Sequence, residues 1–137
     1  MTRVNVVSPK ELSDQWLLAE YRELPRVLKG NFSILNAPKQ YKLGEGHVAW
    51  ARYFALYTNA RFKEIIKEMQ YRGFKTSFTA DLGKYITNGI KNDYRPNLND
   101  LRVNRDRLIE RYKANPKVHK WTKRTKPSYL KEVIWKQ

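Results

Sequence analysis

Arg22, Glu23 and Arg26 are the residues of this sequence whose types and spacing could do chemistry. Arg22 and Arg26 stand four apart, so on a helix they share one face, where like charges repel by roughly a few tenths of a kcal/mol. A polyanion bound to that face offsets the repulsion. Glu23 lies one step around the same helix. A carboxylate on a phosphate-binding face works against affinity, so its presence needs another reason. The plain alternative is an i, i+3 ion pair of Glu23 with Arg26 on a solvated face. Arg107 and Arg111 repeat the four-residue spacing, and in a chain this basic such a pair also arises by chance. At the chain start, a residue as small as Thr2 permits removal of Met1.

The partners of such groups are bounded by composition. The chain has 137 residues, with 28 Lys and Arg against 13 acids, a formal charge of +15 and a pI near 10.1. That excess points to nucleic acid first and to an anionic membrane surface second. The absence of cysteine excludes disulfides and thiolate metal sites. His47 and His119 are isolated, and no clustered ligand pattern calls for a metal. His47 reads as structural, near the start of a helix. No apolar run approaches a membrane span, and the N-terminus has no signal-peptide core. A soluble, cytoplasmic protein is expected, monomeric and with no obligate protein partner.

The elements that must position these residues follow from periodicity. Ser8-Pro9-Lys10-Glu11 reads as a capping box, and the first helix is predicted from about Pro9 to Leu28, with Leu17, Tyr21, Leu24 and Leu28 inward. Pro25 should kink it. Residues 29 to 45 read as a loop. A long second helix is predicted from about Gly46 to Tyr71, with Phe54, Thr58, Phe62, Ile65, Ile66 and Met69 at helical spacing and Arg72-Gly73-Phe74 as its C-cap. A third should run from about Leu98 to Ala114, with Leu98, Leu101, Leu108 and Tyr112 inward, ended by Asn115-Pro116. The expected fold class is all-α: one domain over residues 1–137, of three main helices with long irregular connections. A basic segment spans about 113–137. Trp121 within it is either a stacking residue or a core anchor.

Several blocks together resemble a known family. Met1-Thr2-Arg3-Val4-Asn5, Glu11-Leu12, Asp14-Gln15 and Ala19-Glu20-Tyr21-Arg22-Glu23-Leu24-Pro25-Arg26-Val27 look like the phage pyrimidine-dimer DNA glycosylases, also called the phage endonuclease V family. Leu43-Gly44-x-Gly46-His47-Val48, Arg72-Gly73-Phe74, Asp93-Tyr94-x-Pro96, and Arg107-Leu108 with Arg111 and Pro116 fall in the family's order. The resemblance implies that the Thr2 amine attacks C1′ of the damaged nucleotide and that Glu23 is the essential carboxylate. It implies DNA contacts by Arg3, Arg22, Arg26, Arg107 and Arg111, and assigns Gln15, Trp16, Lys120 and Trp121 to the same surface. It also implies sharply kinked DNA, with the base opposite the dimer flipped out. Two departures bear on lesion specificity. Trp16 stands where the family's prototype has His, and Lys117-Val118-His119-Lys120-Trp121 loses two aromatics of a dense cluster. The loop after the first helix is also shorter.

The implied chemistry suits these residue types. A Schiff-base lyase needs a neutral amine, and the α-amine pKa of about 7.7 to 8.0 lies far below the value of about 10.4 for lysine. Cations such as Arg3, Arg22 and Arg26 lower it further. One carboxylate can stabilise the cationic sugar and iminium and move protons during elimination. No cofactor or metal is needed, and the expected partner is damaged double-stranded DNA. Two other readings stay open: the same chemistry on another damaged or modified base, and a non-enzymatic basic DNA-binding protein. A membrane-surface role fits poorly, because the basic residues are not set on one strongly amphipathic helix.

Overall fold

A computed structural model of the chain describes residues 3–79 and 81–135. Among them are five α-helices: α1 (Asp14–Lys29), α2 (His47–Tyr53), α3 (Ala55–Tyr71), α4 (Leu98–Ala114) and α5 (Ser128–Trp135). Short 3-10 turns join them. The only strand-like pairing among the described residues is a single antiparallel bridge between Phe54 and Lys91. The fold is all-α, but the expectation of three main helices does not hold.

The predicted second helix is two helices. Phe54 leaves helical geometry, at φ −96° and ψ 54°. The groups freed there are bound from elsewhere in the chain. The Asn92 side chain donates to the Tyr53 carbonyl at 3.0 Å, and the Leu56 N–H donates to the Asn92 carbonyl at 3.2 Å. The Thr58 hydroxyl donates to the Ala51 carbonyl at 2.7 Å. Apolar periodicity runs unbroken through Phe54, Thr58, Phe62 and Met69, all buried. Periodicity therefore could not reveal a break that is stabilised by a residue far along the chain.

The predicted first helix also begins later. Pro9–Glu11 is a 3-10 turn, Leu12 is extended, and α1 starts at Asp14 with Ser13 as its N-cap, the hydroxyl accepting from the Trp16 N–H at 3.2 Å. The Arg72 guanidinium takes the Pro9 and Lys10 carbonyls, at 3.2 and 3.4 Å, that a continuous helix would have used internally. From Asp14 the helix continues through Pro25 to Lys29. The C-cap at Gly73 is as expected: φ is +90°, and the Phe74 N–H reaches back to the Met69 carbonyl at 2.9 Å.

α4 has the predicted bounds, and its start is a reciprocal capping box of Asn97 and Asp100. Leu98, expected inward, is 85% exposed. Asp100 takes the inward place in that first turn, accepting from the Tyr94 hydroxyl at 2.6 Å. α5 lies in the basic segment, where no helix was expected. Leu130 of α5 packs on Tyr112 with Trp121 beside them, a small cluster apart from the main core. The main core joins Leu17, Leu24 and Leu28 of α1, Trp50 of α2, Phe62, Ile65 and Met69 of α3, and Leu108 of α4. Val4, Val6 and Val7 of the irregular N-terminal segment are threaded among them.

Candidate active site and nucleic-acid interface

The N-terminal segment leads into a cleft of about 110 Å³ between α1 and α4. Its walls bring together four of the expected site residues: Arg3, Trp16, Glu23 and Arg111. Asn5, Ala19, Glu20 and Leu108 complete the lining. Trp16, Ala19 and Glu23 are spaced i, i+3 and i+7 on α1, so they form one stripe with the small residue between the two large ones. Thr2, the expected nucleophile, lies outside the described residues.

The electrostatics of the cleft are dominated by arginine. Burial, with the nearby charges of Arg111 and Arg107, holds the Arg3 guanidinium down to about 10, so it stays charged at neutral pH. Arg107 approaches Glu110 at 3.5 Å. Glu23 is partly buried and receives Arg26 Nη1 at 3.2 Å. The i, i+3 pair that the sequence offered as the plain alternative is therefore formed, and Glu23 lines the cleft as well. Arg26 itself is exposed. Arg22 lines a neighbouring groove of about 260 Å³ with Tyr21, Pro25, Lys29, Ser77 and Phe78.

The remaining expected residues lie where the basic segment docks on the start of α1. The Lys120 carbonyl accepts the Asp14 N–H at 2.7 Å, and the Lys120 N–H donates to Gln15 Oε1 at 3.1 Å. Thr122 bonds the Asp14 carboxylate through both its N–H (3.1 Å) and its hydroxyl (2.6 Å). Arg124 grips Glu68 at 2.8 and 2.9 Å. The Trp121 indole N–H donates to the Glu11 carbonyl at 2.9 Å, which makes this Trp an anchor of the segment. The His119 ring packs on Trp16 with centroids 4.3 Å apart, while its Nδ1 meets the Ser13 hydroxyl at 2.8 Å. The C-terminal segment thus backs the aromatic wall of the cleft.

The sequence expectations missed the buried polar groups in and around this site. Glu20 and Arg61 form an ion pair at 2.7 and 3.1 Å, 2% and 3% exposed. Asn104, 0% exposed, faces the N-terminal segment. A signal was present: Glu20 falls between Leu17 and Leu24, Arg61 between Thr58 and Ile65, and Asn104 between Leu101 and Leu108, all on inward stripes. A charged residue at such a position requires a buried partner.

His47 is structural, as expected. Its Nε2 accepts the Val4 N–H at 2.8 Å and its Nδ1 meets the Lys42 carbonyl at 2.8 Å. Burial lowers its pKa to about 4, so the ring is neutral at pH 7. The unfolded chain binds this proton near pH 6.5 and the folded chain only near pH 4. The stabilisation is therefore complete above pH 6.5 and is lost as pH falls from 6.5 to 4, by about 3 kcal/mol in all. Urea denaturation of wild type and His47→Gln across that window should show the wild-type advantage shrinking with acid. An advantage that is flat with pH would remove His47 as the cause.

Among the described residues no group of three or more His, Cys, Asp or Glu could hold a metal ion, and no helix is long and apolar enough to cross a membrane. The fold and cleft define a small all-helical protein that sets a carboxylate among arginines on a strongly basic surface, an arrangement fitted to a polyanion. The chain belongs to the pyrimidine dimer DNA glycosylase family, whose model matches residues 1–82. At the level of the family, its activity is that of a glycosylase at pyrimidine dimers in DNA. The matched part contains the N-terminal segment and α1 to α3, whereas Arg107, Arg111 and the docked basic segment lie beyond it.

Proposed function

We propose that the protein cuts the N-glycosidic bond at cyclobutane pyrimidine dimers with the α-amine of Thr2, and then nicks the strand by β-elimination. The amine attacks C1′, the bond from C1′ to the base breaks, and the base leaves with a proton. The C1′–O4′ bond then opens with a proton taken up at O4′, which turns the adduct into an iminium and acidifies C2′. Loss of a C2′ proton expels the 3′ phosphate, and water then releases the amine. Glu23 stabilises the cationic sugar and iminium and carries the protons. Arg3, Arg22, Arg26, Arg107 and Arg111 hold the phosphates, and Gln15, Trp16, Lys120 and Trp121 belong to the surface around the lesion.

The observation that carries this proposal is the course of the N-terminal segment. Buried side chains hold it, and its first described residue, Arg3, lines the same cleft as Glu23. Thr2 is bonded directly to Arg3. A second reading, the same chemistry on another damaged base, is favoured by the place of Trp16 in that cleft.

Borohydride trapping tests both. Protein processed to Thr2 is incubated with a duplex carrying one cis-syn thymine dimer and with one carrying an abasic site. Covalent adducts on both are expected. An adduct on the abasic duplex alone would move the substrate to another lesion. Acetylating the α-amine, or leaving Met1 in place, should lower the trapping rate by about 100-fold or more while the duplex still binds. Full trapping by the blocked protein would end the Thr2 assignment.

A further inference from the structure

The segment from Arg3 to Val7 belongs to no helix, and its main chain has no strand partner among the described residues. Side chains replace the missing ladder. Asn104 Oδ1 on α4 accepts both the Val6 and the Val7 N–H, at 2.7 and 3.1 Å. Asn104 Nδ2 donates to Asn5 Oδ1 at 2.8 Å, and Asn5 Nδ2 passes the chain of bonds to Glu20 Oε1 at 2.8 Å. Nearer the chain start, the Tyr41 hydroxyl donates to the Val4 carbonyl at 2.9 Å. Burial pushes the Tyr41 phenol up, so it keeps the proton it donates.

These contacts are unusual for what they serve. Asn104 occupies a fully buried place on the inward stripe of α4, between Leu101 and Leu108, where an apolar residue would pack without any desolvation penalty. Its side chain bonds Asn5, Val6 and Val7 of the N-terminal segment. Three and seven residues later the same helix presents Arg107 and Arg111, whose charges act on Arg3. A single helix thus sets both the main chain of the N-terminal segment and the cations beside its end.

We propose that Asn104 and Tyr41 are positioning residues for the reaction. Their bonds hold the main chain of Val4, Val6 and Val7, to which the amine-bearing residue is joined through Arg3, and the rate of the amine's reaction depends on that hold. The proposal rests on the amine chemistry above. Reactions of this kind are sensitive to placement, and a 1 Å displacement of a reacting group lowers the rate by roughly 100-fold.

The test is single-turnover borohydride trapping on a saturating duplex with one abasic site, with the Kd for the same duplex measured alongside. The variants are Asn104→Ala and Tyr41→Phe. Thr58→Val serves as a control that removes a buried hydrogen bond at the junction of α2 and α3. Asn104→Ala should trap about 30-fold more slowly and Tyr41→Phe about 5-fold more slowly. The Kd should stay within about threefold of wild type for both, and Thr58→Val should trap at the wild-type rate. Tyr41→Phe deletes only one hydroxyl, so it carries the test if Asn104→Ala does not fold. Wild-type trapping rates in both variants, or rate and affinity falling in parallel as for any loosened fold, would overturn the proposal. Wild-type protein that traps nothing would instead remove the amine chemistry beneath it.

Discussion

Glu23→Gln should still bind damaged duplex and fail to cut it, with a turnover loss of roughly 100- to 10,000-fold. Gln keeps the shape of the side chain and the bond that Arg26 donates, but it can neither balance an iminium nor accept a proton. Stability should hardly move. The ion pair of Glu23 with Arg26, at 3.2 Å, joins an Arg side chain that is 72% exposed, and such pairs contribute about 0 to 1 kcal/mol. Affinity should hold or rise slightly, since one negative charge leaves a basic surface. Strand nicking on a gel and duplex binding at fixed salt measure the two sides. If the variant turns over near the wild-type rate, Glu23 is only the helix-surface partner of Arg26 that its spacing also allowed.

Arg61→Leu should be the most damaging change to stability. Burial works to lower the pKa of this guanidinium, and the Glu20 carboxylate outweighs it and raises the pKa. Arg61 donates twice to Glu20, at 2.7 and 3.1 Å, and also to the Val7 carbonyl. Removing it leaves the Glu20 carboxylate, 2% exposed, without its cation beside Asn5 in the wall of the cleft. Breaking a buried pair in this way costs about 3 to 5 kcal/mol, whereas replacing both partners by apolar residues is often close to neutral. Arg61→Leu should therefore unfold at much lower urea, and Glu20→Leu with Arg61→Leu should recover much of the loss. A single variant that loses less than about 1 kcal/mol, the range of exposed pairs, would show that the buried pair is worth no more than a surface one. The double variant also removes the Asn5 partner in the cleft wall, so its stability and its trapping rate should separate: folded again, but slower.

The helices that local chemistry specifies could be read directly. α4 lies between the Asn97–Asp100 capping box and Asn115-Pro116, and α3 ends at a glycine with positive φ. Both signals involve residues within a few positions of one another. The candidate site was legible where one helix carries it, since Arg22, Glu23 and Arg26 need only the helical repeat to become neighbours.

Other features depend on partners distant in the sequence. The break at Phe54 needs Asn92, the late start of α1 needs Arg72, and the docking of the basic segment needs Asp14 and Glu68. The cleft itself needs the N-terminal segment, α1 and α4 to converge, and Asn104 reaches Asn5 across 99 positions. Composition and local pattern by themselves determined that this protein is helical, basic and equipped with a carboxylate among arginines. Tertiary structure alone decided which residues pair in the core and which of them line the cleft. A hydrogen bond or ion pair made inside the core is selected by geometry in space, and no spacing along the chain encodes it.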